Sequence, residues 1–152
     1  MNESILVVDD DYEIRETLSA VLLSESYIVE TAKNGKEALK ASETAYFDVA
    51  LIDMELPDIN GIEILRRLKE KQPRMVMIII TGFASLENAV KAVNEGAHGY
   101  VLKPFNVAEL LKMLRKRLDE KAAEYFQFRT EIEKNTVFSE QFKKPKGSIF
   151  TH

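Results

Sequence analysis

Cysteine is absent from the 152 residues, which excludes disulfides, thiolate nucleophiles and cysteine-ligated zinc or iron–sulfur centres, and suits a reducing compartment. No window approaches the ~20 apolar residues that cross a bilayer, and the start, MNESILVVDDD, lacks the basic-then-apolar pattern of a leader. A soluble, cytoplasmic protein is expected. A net charge of -4 and a pI near 5.3 give no general field for nucleic acid, so any such contact needs a local patch. Internal repeats and low-complexity tracts are missing, and the histidines, His98 and His152, show no partner pattern for metal or catalysis. What remains is 45% apolar residues in a length suited to one ordinary domain and a tail.

The apolar residues fall in two patterns. SILVV (4–8), FDVALI (47–52) and MVMIII (75–80) are β-branched and almost continuously apolar, as strands buried on both faces require; YIVET (27–31) and GYVL (99–102) are weaker strand candidates. Between them, apolar residues recur at helical spacing: Ile14, Leu18, Val21 and Leu22; Ala38, Leu39 and Ala41; Ile62, Leu65 and Leu68; Leu86, Ala89, Val90 and Val93. Punctuation agrees, with Asp11 as an N-cap, KNG and PDING before the second and third helices, and Gly96 after the fourth. Strand and helix alternate five times, which predicts an open parallel sheet covered on both faces.

The last helical pattern starts near Asn106 and runs past the point where a compact domain would stop. Val107, Leu111, Leu114, Leu118, Tyr125, Phe128 and Ile132 keep a 3-4 spacing broken only at Lys121, predicting a helix to roughly Lys134. The stripe suits either a stalk or dimer seam, or a helix folded back on its own domain. Pro145, Gly147 and the basic cluster Lys143, Lys144 and Lys146 then predict an irregular tail. The expected division is 1–118 and 119–152.

Four polar features land at the carboxyl ends of predicted strands, where an open parallel sheet forms its functional crevice. They are Asp9, Asp10 and Asp11 after the first strand, Asp53 at the third, Thr81 at the fourth, and Lys103 before Pro104 at the fifth. Taken singly, Asp53 and Thr81 read as caps and Lys103 as a solvated lysine; together they resist that reading. Carboxylates of Asp9, Asp10 and Asp53 in one crevice repel unless a cation compensates. Mg²⁺ suits such a cluster, being hard, oxygen-seeking and content with one or two carboxylates plus waters. An ionised carboxylate beside a Lewis acid can attack phosphorus, with Lys103 supplying fixed positive charge, Thr81 a hydroxyl donor and Gly82 an approachable backbone N–H.

ILVVDDD, VALIDMELPDINGIEIL, IIITGFAS and GYVLKPF, in this order and spacing, resemble the motifs of response-regulator receiver domains over about residues 3–118. That resemblance implies a flavodoxin-like, doubly wound five-stranded parallel sheet of order 2-1-3-4-5, here with an extended C-terminal helix. It implies a two-component response regulator that accepts a phosphoryl group from a sensor histidine kinase or a histidine phosphotransfer protein. By position Asp53 matches the phosphoacceptor. Asp10, Asp53 and the Glu55 backbone carbonyl match the direct Mg²⁺ ligands, with Asp9 acting mainly through water. Thr81 and Tyr100 match the switch pair, Lys103 the site lysine, and Lys103–Pro104 a cis bond. Glu55 and Phe83 match positions that tune phosphoryl lifetime, and Phe83 is expected to dominate by shielding the site from water.

The expected protein is a regulator, not an enzyme in its own right. Its output runs through protein contacts, on a face built from the fourth helix, fifth strand and fifth helix, with homodimerisation there or through the C-terminal helix. Direct DNA binding is disfavoured, because about 34 residues follow Leu118 and their acids and bases balance at six each. The rival readings are an aspartyl-nucleophile phosphohydrolase of the haloacid dehalogenase type and the receiver fragment of a longer DNA-binding transcription regulator. The first is disfavoured because its nucleophile follows the first strand and a cap covers its substrate.

Overall fold

A computed structural model describes residues 2–82 and 85–140, with side chains described as far as 135. Strands and helices alternate as β1 (Ser4–Val8), α1 (Tyr12–Ser24), β2 (Ile28–Ala32), α2 (Gly35–Thr44), β3 (Val49–Asp53), α3 (Gly61–Lys71), β4 (Val76–Thr81), α4 (Leu86–Asn94), β5 (Gly99–Leu102) and α5 (Val107–Glu140). The five strands form one sheet, all neighbouring pairs parallel, in the order β2-β1-β3-β4-β5. This is the doubly wound arrangement expected from the sequence.

The continuous apolar strands are explained by two cores, one on each face, selected by the period-two alternation of side chains. Leu6, Val8, Ala50, Ile52, Met77 and Ile79 point to one face and meet Ala38, Ile64, Leu65, Leu68 and Ala92 from α2, α3 and α4. Ile5, Val7, Val49, Leu51, Val76, Ile78 and Ile80 point to the other and meet Leu18 and Leu22 of α1 and Leu110, Leu114 and Leu118 of α5. Each large aliphatic side chain so buried contributes about 1.5–3 kcal/mol.

Helix starts follow the punctuation. Asp11 accepts the N–H groups of Glu13 and Ile14, Asn34 that of Glu37, and Asn60 that of Ile62. Gly96 takes φ +99 after α4, where a side chain would be strained. Asn106 accepts the Glu109 N–H at the head of α5. One expectation shifts. The predicted end of α5 near Lys134 falls short, since the helix continues to Glu140. The apolar stripe on α4 does not face the core: Leu86 is 82% exposed, Val90 49% and Val93 61%, while Ala92 is the buried residue, small enough to lie against the sheet.

The chain divides into compact units Met1–Leu118 and Asp119–His152. In the first, α5 buries Leu110, Leu114 and Leu118; in the second, Tyr125, Phe126, Phe128 and Ile132 are exposed. Pro145, Gly147 and the tail lysines lie outside the described residues.

One buried side chain fixes the entry to β3. The Gln72 carboxamide accepts the Phe47 N–H at 2.9 Å and donates to the Ser42 and Ala45 carbonyls at 3.0 and 2.8 Å. Replacing it strands these backbone groups without water. Gln72→Ala is therefore expected to lower unfolding free energy by about 2–3 kcal/mol in urea titrations; a loss within ~0.5 kcal/mol, ordinary for a surface change, would contradict this role.

Candidate functional site

The carboxyl ends of β1, β3, β4 and β5 converge because the strands are parallel and in register. Val8 pairs with Ile52, so the next residues, Asp9 and Asp53, stand side by side. Thr81 pairs with Leu102, and the Lys103 N–H donates to the Thr81 carbonyl at 2.8 Å, placing Lys103 immediately beyond β5. The order reverses between β1 and β3, whose connections run to opposite sides of the sheet, and this opens a crevice between their ends. The Lys103–Pro104 peptide is cis, as the resemblance implied.

Lys103 reaches back across β4 into that crevice. Its Nζ donates to Asp9 Oδ2 at 2.8 Å and to Asp53 Oδ2 at 3.3 Å. Asp10 completes the cluster, with a carboxylate oxygen from each of Asp9, Asp10 and Asp53 lying within 4.8 Å of the others. Asp9 and Asp53 are buried, whereas Asp10 is exposed. The remaining oxygens are specified by backbone: the Glu55 N–H donates to Asp53 Oδ1 at 3.1 Å and the Asp11 N–H to Asp9 Oδ1 at 2.9 Å. Both Asp9 oxygens are thus engaged, while the exposed Asp10 carboxylate faces the crevice mouth.

Burial pushes the Asp53 carboxyl above the usual aspartate range; the Glu55 N–H opposes this, the Asp9 charge adds to it, and Lys103 only partly offsets it. Lys103 is raised as well: burial disfavours its charge, but the hydrogen bond to Asp9 and the charges of Asp9 and Asp53 outweigh burial. The cluster therefore carries more negative charge than one lysine neutralises. Its donor set, carboxylate oxygens alone, matches a hard divalent cation such as Mg²⁺.

Thr81 is fully buried at the end of β4, and Tyr100 is half-buried on β5, packed against the core on the α2–α4 face. Because Ile79 pairs with Tyr100, the alternation puts Thr81 and Tyr100 on the same face of the sheet. Burial raises the Tyr100 phenol. The Glu55 side chain is exposed, and its backbone N–H donates to Asp53. Phe83 lies outside the described residues. Beside Tyr100 a cleft of about 330 Å³ opens between β5 and the start of α5, lined by Leu102, Phe105, Glu109 and Met113.

Arg15 was not singled out in the sequence. Its guanidinium donates to the Asp9 carbonyl at 2.7 Å and stacks near the Tyr12 ring, so α1 holds the backbone between the acidic residues in place. An arginine in the first turn after DDD was the available signal, but nothing in its spacing marks a carbonyl as its target.

The response regulator receiver domain model matches residues 5–115. Among curated relatives, the probable transcriptional regulatory protein SilR of Salmonella typhimurium is 37% identical over 111 residues, 73% of this chain and 49% of SilR. The chain spans half or less of the length of the curated relatives it first matches. A CheY-like receiver domain from Methanospirillum hungatei JF-1 is 40% identical with a TM-score of 0.80, over 82% of this chain and 99% of that one. The beryllofluoride-activated NtrC4 receiver domain dimer is 38% identical with a TM-score of 0.74, over 78% and 98%. The expectation against direct DNA contact gains no support here, since SilR is named for transcriptional regulation. No helix among the described residues is long and apolar enough to cross a membrane. With the matching model, the fold and the strand-end acids in agreement, the chain belongs to the response regulator receiver domain family of two-component systems.

Proposed function

We propose that this chain is a cytoplasmic phospho-accepting switch in which Asp53 takes a phosphoryl group from a phosphohistidine donor, a sensor histidine kinase or a histidine phosphotransfer protein. One observation carries the reading: Lys103 bridges the buried carboxylates of Asp9 and Asp53 at the switch point, with Asp10 beside them. A structural ion pair needs one acid. Three acids around one lysine suit a site completed by a cation and then by a phosphoryl group.

In this reading Asp10, Asp53 and the Glu55 carbonyl hold Mg²⁺, and Asp9, already bonded at both oxygens, acts through water. Bound Mg²⁺ supplies Lewis-acid stabilisation of the charge on the transferring phosphoryl group. The Asp53 carboxylate attacks phosphorus as the bond to the donor nitrogen breaks. The Glu55 N–H fixes the orientation of the attacking carboxylate through Oδ1. Lys103 turns from Asp53 Oδ2 toward the phosphoryl oxygens, keeping its bond to Asp9. The Thr81 hydroxyl donates to another of those oxygens, and the space it vacates admits the Tyr100 ring. Phe83 and Glu55 then set how fast water removes the group.

The change passes to the α4–β5–α5 face. Exposed Leu86, Val90, Val93 and Leu102 supply an apolar surface there for a downstream protein. Along the second unit, Tyr125, Phe128 and Ile132 keep heptad spacing and remain 48, 61 and 47% exposed, which suits the helix of a second copy. In a parallel pairing Glu124 at g faces Arg129 at e of the partner helix, an opposite-charge pair. The similar NtrC4 receiver domain is a dimer in its beryllofluoride-activated form, which suits pairing of activated receivers without assigning the helix used.

Incubation with acetyl phosphate and Mg²⁺ is expected to give a single phosphoryl adduct by intact mass, absent in Asp53→Asn and formed about a hundredfold more slowly in Lys103→Ala. An adduct persisting in Asp53→Asn contradicts the reading. The raised Asp53 carboxyl favours folding where it is protonated, below the ordinary aspartate range, and that advantage is lost as pH rises through its raised value. Asp53→Asn should therefore melt higher than wild type at neutral pH without Mg²⁺, and the difference should close in acid; a lower melting temperature at neutral pH would count against this electrostatics. Beryllofluoride with Mg²⁺ should double the mass seen by light scattering, and Phe128→Glu should return it to monomer while still accepting phosphate. An unchanged mass in both proteins would remove the dimer from the account.

A further inference from the structure

The segment between β3 and α3 is tied down at both ends. At its start is the Glu55 N–H bond to Asp53; at its close the Gly61 N–H donates to the Met54 carbonyl at 3.2 Å. A Cβ on Gly61 would stand 2.7 Å from the Met54 backbone, so only glycine closes the loop so tightly.

Between these points Asp58 reaches to a different helix. Its Oδ1 accepts the Gly35 N–H at 2.8 Å and its Oδ2 the Lys36 N–H at 2.9 Å, and Oδ1 also takes the Ile59 N–H at 2.9 Å. Gly35 and Lys36 open α2, and their N–H groups have no partner within the helix. Asn34, the residue that caps α2, takes only the Glu37 N–H. Asp58 supplies the acceptors that α2 leaves open, from 22 and 23 residues away in sequence. A negative charge there also matches the positive end of the helix. Slight burial works against that charge, but the donors of Lys36 and Gly35 outweigh it and hold the Asp58 carboxyl below the usual range. The contact is close by construction: a Cβ on Gly35 would meet Ile64 Cδ1 at 2.6 Å, Ile59 Cβ at 3.0 Å and Asp58 Oδ1 at 3.2 Å.

The consequence lies at the cation site. Asp53 ends a strand buried in the sheet, and the backbone between Asp9 and Asp11 is held by Arg15 and by the Asp11 N–H. Glu55 stands in the loop between β3 and α3, outside any strand or helix. We propose that Asp58, seated on the start of α2, is the positioning residue that fixes the Glu55 carbonyl for the divalent cation. This rests on the reading that Mg²⁺ is held by Asp10, Asp53 and that carbonyl. Losing the tether leaves the acids in place but frees their third partner.

Calorimetric titration of the full chain with MgCl₂ tests this in wild type, Asp58→Ala, Asp58→Asn and the remote destabilised variant Gln72→Ala, each below its melting transition. Asp58→Ala is expected to bind Mg²⁺ about tenfold more weakly, the scale of lost support behind a metal ligand. Asp58→Asn, whose carboxamide oxygen can keep the Gly35 and Ile59 donors while its NH₂ cannot accept from Lys36, should recover part of the loss, and Gln72→Ala should bind as wild type does. Wild-type affinity in Asp58→Ala overturns the proposal, as does an equal loss in Gln72→Ala, which would mark general destabilisation. Wild-type protein that takes up no Mg²⁺ overturns the underlying site reading and the proposal with it.

Discussion

The contact of Lys103 with Asp9 and Asp53 is the constraint around which the rest of the structure is arranged. It requires that a residue leaving β5 meet residues leaving β1 and β3, so the strands must be parallel, in register and ordered with β1 beside β3. Parallel strands of this kind must be buried on both faces, which is why the three central strands read as unbroken aliphatic runs. The two aliphatic cores thereby hold the carboxylates at fixed positions where burial raises the cost of their charge. A rigid strand end suits this purpose because it leaves Asp53 unable to escape into water. The cost is kept tolerable by Lys103, which donates to Oδ2 of both Asp9 and Asp53, and by one backbone N–H on Oδ1 of each.

Much of this was legible from residue order because it depends on local rules. Continuous apolar strand runs, the Asp11 cap, the KNG and PDING stretches that hold Asn34 and Asn60, and a glycine after α4 each leave a mark within a few residues, and the acids at strand ends follow once the strands are placed. What was not legible depends on contacts between distant segments. Asp58 reads as an ordinary turn residue in PDING, yet its partners are 22 and 23 residues earlier. Arg15 reads as a solvated helix residue, yet it holds the carbonyl between two acids. The α4 stripe shows a related limit: helical spacing of Leu86, Val90 and Val93 defines one apolar face without saying whether the sheet or a partner covers it, and Ala92 takes the inward position.

The same distinction separates the two kinds of apolar surface in the chain. Leu110, Leu114 and Leu118 on α5 complete the core of the first unit, whereas Tyr125, Phe128 and Ile132 continue the spacing in the second and stay exposed. Exposed aromatics at regular spacing on a helix are costly to leave in water and cheap to pair with a like helix. In the proposed function, phosphorylation of Asp53 would alter charge at one end of the sheet. The half-buried Tyr100 and the outward face of α4 give that change a path to surfaces that other chains can read.

The central claim is that the crevice holds excess negative charge that only a cation completes. Carbon-13 NMR titration of the Asp53 side-chain carboxyl measures this most directly. The account predicts protonation above the ordinary aspartate range in metal-free protein, with a fall on adding Mg²⁺. An Asp53 that titrates as an ordinary aspartate, unmoved by Mg²⁺, would contradict it.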